Sequence, residues 1–273
     1  MPARTDEAFV LTRYPYRERD LIVVLLTRAT GQLRVLARRA RGARTPQATA
    51  LEPLALVKIS YFERAQSELA TLDEAVPVRS AFELARDPLA WAASQVVAEL
   101  ALVFCPPGQV AEQAFRLVDH CVAALLAGGE PLTVAVYAQL WFVKLAGVFP
   151  ELDVCVTCGE ALTAGGRAYD AGDGGFLCPT HARGRPVERL APGAVEWLRR
   201  ALHGPVAEVG GPAPAAALGW LVALQQRFTE REIVSWRYLL KLTGDRGPGS
   251  GVREAGTGDR GQGTGDSKRR TPH

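Results

Sequence analysis

The sequence predicts a multidomain α+β protein: a small five-stranded barrel first, then an all-α domain that carries a metal-binding loop. Three observations predict it. Residues up to about 80 break into short β-branched and aliphatic runs separated by turn signals, a pattern of strands. After Pro77 the apolar spacing lengthens to that of helices. Late in the chain, Cys155-Val156-Thr157-Cys158 is followed, after nineteen intervening residues, by Cys178-Pro179-Thr180-His181.

In order, Phe9-Val10-Leu11 opens a run that ends at Tyr14-Pro15-Tyr16, and Asp20–Thr27 forms a second. Arg28-Ala29-Thr30-Gly31 supplies a hairpin turn into Leu33–Arg38, where Leu33, Val35 and Ala37 share one face and Arg34, Leu36 and Arg38 the other. A basic loop, Arg39–Gln47, leads to alternation at Ala55, Val57, Ile59 and Tyr61, and Leu69–Val76 offers a fifth strand. Five short strands in about seventy residues fit a closed barrel, since closure leaves no exposed edges. Asp87-Pro88 starts a helix to Phe104, with Asp as cap and Pro at the first helical position. Further helices are expected over Gln109–Ala127, from Pro131 to near Gly147, from Gly193 to Leu202, and over Ala215–Leu242. These divisions give a barrel domain at 1–80, a helical domain at 81–243 with a zinc finger inserted at 151–186, and a disordered glycine-rich tail at 244–273.

The formal charge of +3 is too small to announce a polyanionic partner, but its distribution is uneven. Residues 1–45 hold ten arginines and no lysine against four acids, whereas 81–154 hold three bases against eight acids. A basic module joined to an acidic one suggests different partners for each. Thr5, Asp6 and Glu7 stand where a signal peptide would begin its apolar core. The longest uncharged stretch, Val209–Gln226, is interrupted by two prolines and three glycines and makes a poor membrane span. Five cysteines without an export signal point to reduced thiols and a cytoplasmic location.

Two cysteines three apart on a tight turn can face one centre, and two such turns supply four tetrahedral ligands. Cys155, Cys158, Cys178 and His181 are therefore read as ligands of one zinc ion, with Gly159 relieving the first turn and Gly172, Gly174 and Gly175 loosening the connection. A catalytic zinc keeps a position open for water. Here protein ligands fill all four, and His120 is followed by Cys121 and Val122 instead of the His-x-Glu of zinc deaminases. The zinc is expected to be structural and the chain not an enzyme. His120, Cys121 and Cys105 are expected in the core.

Arg34, Arg38, Arg39, Arg41 and Arg44 concentrate on one strand and the loop leaving it, and Arg13, Arg17 and Arg19 join them as a candidate nucleic-acid-binding groove. Barrels of the oligonucleotide-binding fold (OB-fold) use such a face for single strands, with phosphates on arginine and bases on aromatic rings. Phe9, Tyr14, Tyr16, Tyr61 and Phe62 are available for stacking, although for Phe9, Tyr61 and Phe62 taken singly the core is the favoured place. An RNA-directed or transcriptional role for an OB-fold protein with a zinc ribbon is the alternative.

Specific stretches resemble a known family. Leu25-Leu26-Thr27, Gly31-Gln32-Leu33-Arg34 and Ala37-Arg38 look like its second and third barrel strands. Lys144–Leu152 leading into Cys155-Val156-Thr157-Cys158-Gly159 is similar to its approach to the zinc loop, and Val234-Ser235-Trp236-Arg237 to the last helix of some members. The family is that of the bacterial DNA repair protein RecO, a recombination mediator. The resemblance implies binding of single- and double-stranded DNA, annealing of complementary strands, and loading of RecA with RecR onto DNA coated by single-strand-binding protein, with RecF as a further partner. It implies a nucleoid-associated protein of the cytoplasm. His181 departs from the cysteine common at the fourth ligand position.

Overall fold

The structure, a computed structural model, describes residues 3–42, 46–63, 69–163 and 165–244. Its first part is a closed barrel of β1 (Arg4–Tyr16), β2 (Asp20–Thr27), β3 (Gly31–Ala37), β4 (Leu56–Phe62) and β5 (Leu69–Arg79), in the order β1-β2-β3-β5-β4. The parallel β3–β5 contact, Arg34 opposite Leu69, closes the sheet and gives the five-stranded Greek-key barrel of an OB-fold. A short helix, α1 (Pro46–Ala50), begins inside the stretch expected to be loop. Strand β5 continues through Pro77 to Arg79, three residues past its expected end.

Alternation sorts the barrel's residues to two cores. Ala8, Val10, Val23, Leu25, Val35, Val57, Ile59 and Tyr61 fill the interior. The outward residues Phe9, Leu11 and Leu26 are equally buried, because they enter the core of the helical part. That part is built from α2 (Pro88–Phe104), α3 (Glu112–Leu126), α4 (Pro131–Leu145), α5 (Pro192–His203), α6 (Ala215–Thr229) and α7 (Ser235–Thr243). Asp87 caps α2 as expected, accepting from the Leu89 N–H at 2.9 Å.

Barrel and helices are welded by close contacts. The Phe9 and Phe115 ring centroids are 4.9 Å apart, and Arg79 pairs with Asp119 at 2.6 Å. Gln32 Nε2 donates to the Leu102 carbonyl at 3.3 Å. Gly31, at φ +75°, lies so near the α2–α3 connection that a Cβ would sit 1.8 Å from the Gln109 carbonyl oxygen. Only glycine satisfies both the turn and this approach.

Three expectations are corrected. The single helix expected over Ala215–Leu242 is two, broken where Glu230 turns left-handed at φ 53°. The Glu99 carboxylate, reaching over from α2, accepts from the Val234 and Ser235 N–H groups at 2.9 and 2.8 Å, capping α7 from a distant element. The connection between the ligand pairs is not a loosened loop but a sheet, β7-β6-β8, of β6 (Arg167–Asp170), β7 (Gly175–Leu177) and β8 (Glu188–Leu190). His120 lies on the exposed side of α3 rather than in the core, its Nε2 accepting from the Val206 N–H at 3.4 Å, whereas Cys105 and Cys121 are buried as expected. Burial pushes both thiols up, that of Cys105 to about 12. The tail expected to be disordered lies, beyond Gly244, outside the described residues. Among the described residues no helix is long and apolar enough to cross a membrane.

Candidate nucleic-acid interface and metal centre

Helix α3 covers the half of the barrel exterior that carries Phe9, Leu11 and Leu26. The other half stays open. There the outward face of β3 presents Arg34, Leu36 and Arg38, opposite Val24, Ile22 and the start of β2. Alternate residues on a strand are about 6.6 Å apart, so Arg34 and Arg38 stand roughly 13 Å apart along one row.

The β1–β2 turn brings further arginines to the end of this row. Arg17 takes φ 53° in the turn, with its guanidinium 5.2 Å from the Tyr16 ring. Arg39, at φ 54°, donates its N–H to Asp20 Oδ1 at 2.8 Å, and the Arg41 N–H reaches the Arg19 carbonyl at 2.9 Å. The Arg41 side chain donates to the Arg17 carbonyl at 3.2 Å. Backbone pairing thus brings Arg17, Arg19, Arg39 and Arg41 together beside Arg38, while Arg34 lies farther along β3. Arg13 is partly engaged with the Leu51 carbonyl at 3.3 Å. Arg44 lies outside the described residues.

All seven described arginines of this group are exposed, and none forms an ion pair with another described residue. Arginines on the rest of the barrel behave differently. Arg4 pairs with Glu63 at 3.2 Å, Arg28 with Glu7 at 3.0 Å, and Arg79 with Asp119. Of the aromatics considered for stacking, Phe9 and Tyr61 are core residues and Phe62 is half-buried. Tyr14, 52% exposed, and the half-buried Tyr16 flank the arginine turn.

At the far end of the helical part, Cys155, Cys158, Cys178 and His181 converge, their ligand atoms all within 4.8 Å of one another. Each pair sits on a tight turn. The Gly159 N–H closes the first onto the Cys155 carbonyl at 2.8 Å, and the Ala182 N–H closes the second onto the Cys178 carbonyl at 2.9 Å. Cys155 and Cys178 are buried, His181 is half-buried and Cys158 exposed. Burial alone would raise the Cys155 thiol, but the N–H groups of Cys178, Cys158 and Thr157 aim at its sulfur and hold it down to about 6. At Cys158 the Glu160 N–H works in the same direction, yet burial and the neighbouring Cys155 and Cys178 sulfurs prevail and hold that thiol up. Three sulfurs and one imidazole fit a single soft-to-borderline metal ion.

Sequence reasoning missed the group that shapes this lobe. Arg167, whose side chain is 2% exposed, donates to the carbonyls of Leu152, Leu162, Thr163, Gly165 and Gly166 and to the Asp153 carboxylate. One guanidinium thus gathers the chain entering the first cysteine pair and the chain leaving it. A lone arginine after two glycines gives no sequence signal for such a role. Arg199 also holds Asp153, at 2.6 Å, and with Arg167 keeps that carboxyl below the usual range.

Profiles of known families decide the lineage. The Recombination protein O N-terminal domain matches residues 1–81, and its C-terminal domain matches 85–237. The chain belongs to the Recombination protein O family. It is 34% identical over 237 residues to a protein named DNA repair protein RecO from Anaeromyxobacter sp. (strain K), covering 84% of this chain and 93% of that one. A protein of the same name from Koribacter versatilis (strain Ellin345) is 39% identical over 162 residues, 58% of this chain and 65% of that one. A third, from Syntrophobacter fumaroxidans, is 28% identical over 191 residues, 70% and 74% of the two chains. The resemblance read from the barrel strands and the approach to Cys155 is therefore borne out, as is the barrel-then-helices architecture.

Proposed function

We propose that this chain is a DNA repair and homologous-recombination mediator of the cytoplasm and nucleoid that binds single- and double-stranded DNA on the open face of its barrel. The observation that carries the reading is the pairing state of the arginines. Six described arginines on the β3 face and around the β1–β2 turn (Arg34, Arg38, Arg17, Arg19, Arg39 and Arg41) lack acidic partners, as does Arg13 of β1 opposite Val23, although acids are available elsewhere on the same barrel. Strands 2–3 and the loop between strands 1 and 2 are where OB-folds hold oligonucleotides. Tyr14 and Tyr16 offer rings beside the phosphate-binding groups. In this reading the protein anneals complementary strands and, with RecR and with RecF as a further partner, helps place RecA on DNA coated by single-strand-binding protein. It breaks no covalent bond.

The ion gathered by Cys155, Cys158, Cys178 and His181 is read as one structural zinc. Tetrahedral zinc with bonds of about 2.3 Å to sulfur and 2.0 Å to nitrogen places a sulfur and a nitrogen ligand roughly 3.5 Å apart. The Cys155 and Cys178 sulfurs stand 3.7 and 3.2 Å from His181 Nδ1, which supports this size. Zinc binding of about 10–16 kcal/mol is ample to order a lobe with a small apolar core.

The test is titration of a single-stranded oligonucleotide at several salt concentrations. With about five phosphates neutralised, the log–log slope is expected near −3.5. Arg38→Glu with Arg39→Glu should cripple binding and leave thermal unfolding nearly unchanged. A flat salt response, or undiminished binding by that variant, sinks the reading. An RNA strand of equal sequence that outcompetes DNA moves it to RNA.

A further inference from the structure

Outside the barrel group, three described arginines have no acidic partner: Arg183, Arg189 and Arg231. Two of them line the same cavity, of about 550 Å³, on the metal-binding lobe. The small sheet explains its shape. Ala168 of β6 lies opposite Leu177 of β7 and Arg189 of β8, so these three side chains share one face. The other face carries Tyr169 and Phe176, which pack on Trp220 of α6. The first face lines the cavity, but its apolar residues are closed over: Ala168, Leu177 and Ala182 form a small core with Cys155 and Cys178, against which Leu162 and Val187 pack. Arg189 lines the cavity from β8. Arg183 lines it from the turn that carries the second ligand pair, two residues after His181.

The remaining charges around this cavity are accounted for. Arg167 is spent on five carbonyls and Asp153, and Arg185 on Asp170 and Asp173. Glu160, the one acid of the lining, turns its carboxylate toward Cys158, 3.9 Å from the sulfur. Two exposed, uncommitted guanidiniums lining one cavity suit the phosphates of a nucleic-acid strand. Closed zinc modules whose thiolates offset the ion's charge are compatible with such contacts.

We propose that this cavity is a second contact for single-stranded DNA, so that a strand long enough to leave the barrel is also held by Arg183 and Arg189. The proposal rests on the barrel reading, and the test separates the two. Zinc-loaded full-length protein is titrated with thymidine oligonucleotides of increasing length, comparing wild type, Arg183→Gln/Arg189→Gln and Arg38→Gln/Arg39→Gln. Zinc content and melting temperature are measured for each. The lobe variant is expected to match wild type on strands that only span the barrel. On long strands it should lose about tenfold in affinity, with a salt slope shallower by about 1.4, the value for two phosphates on a single strand. The barrel variant should weaken at every length. If the lobe variant equals wild type on long strands while the barrel variant is weak, the second contact is wrong and the barrel reading stands. If wild type binds no DNA, both fail. A polyglutamate peptide that binds wild type at least as tightly as the long strand, and releases the lobe variant, assigns the arginines to an acidic protein segment and overturns the proposal.

Discussion

Replacing Arg167 by methionine keeps the buried volume and removes every donor, so it isolates what the guanidinium does. Its three shortest bonds, to the Leu152 carbonyl, the Leu162 carbonyl and Asp153 Oδ1, are 2.6, 2.7 and 2.8 Å. Hydrogen bonds from a charged donor contribute roughly 1.5–3 kcal/mol each, a gross of about 4.5–9 kcal/mol. Water returning to the freed carbonyls recovers part of that. The exposed Asp153 carboxylate rehydrates at little cost, so the remainder, about 3–5 kcal/mol, falls mainly on the carbonyls. The loss falls on the lobe, since all the acceptors lie between Leu152 and Gly166. A lobe that must be closed before it binds metal passes the loss on to zinc affinity, which should fall roughly 10²- to 10⁴-fold at pH 7. Competition with a chromophoric chelator reads the affinity, and Trp220 fluorescence reports the sheet that packs on it. Arg167→Lys, with charge but only three donors, should fall between. Zinc affinity for Arg167→Met within threefold of wild type would refute the clamp.

Two further outcomes follow from geometry. Gly31→Ala puts a methyl against the Gln109 carbonyl at a left-handed φ, and should lower the melting temperature by several degrees with separation of barrel and helical transitions in calorimetry; a single unshifted transition counts against the weld. Asp170 accepts from the Asp173 N–H, from Arg185 and from the Gly172 N–H, which together hold its carboxyl below the usual range. A depressed carboxyl stabilises fully above its unfolded value near 4 and loses that contribution as pH falls through its folded value. The urea-midpoint difference between wild type and Asp170→Asn should therefore be constant near neutrality and shrink below about pH 4; a gap unchanged at pH 3 contradicts the assignment.

What the sequence made legible was local. The Asp87-Pro88 start, the glycine-marked turns and the alternation in Leu33–Arg38 are encoded within a few residues, and each stands in the structure. The cysteine spacing worked for the same reason. What it hid was set by distant partners. The break after Thr229 depends on Glu99, 135 residues before Val234, offering its carboxylate to a new helix start. The β6–β8 strands are three or four residues long and are specified by pairing and by Trp220 beneath them, not by a run with its own period. Arg167 is the extreme case, because an arginine's usual place is the surface and only the ring of carbonyls around this one keeps it inside.

The barrel's arginines show why composition alone was an incomplete guide to the site. Arg28 and Arg79 belong to the same basic module as Arg34 and Arg38, yet they lie on the half covered by α3. There Arg28 rests 4.9 Å from the Phe115 ring and pairs with Glu7, and Arg79 lies 5.9 Å from the Phe9 ring and pairs with Asp119. Their charges are consumed in holding the barrel to the helices. On the open half the nearby acids do not pair with the arginine side chains: Asp20 accepts from the Arg39 N–H instead, and no ion pair joins Glu18 or Asp20 to a described arginine. Because Phe9, Leu11 and Leu26 commit one side of β1 and β2 to the helical core, the proposed DNA face and the helical body do not use the same surface. Weakening the weld should therefore cost stability before it costs DNA affinity, whereas reversing Arg38 and Arg39 should do the opposite.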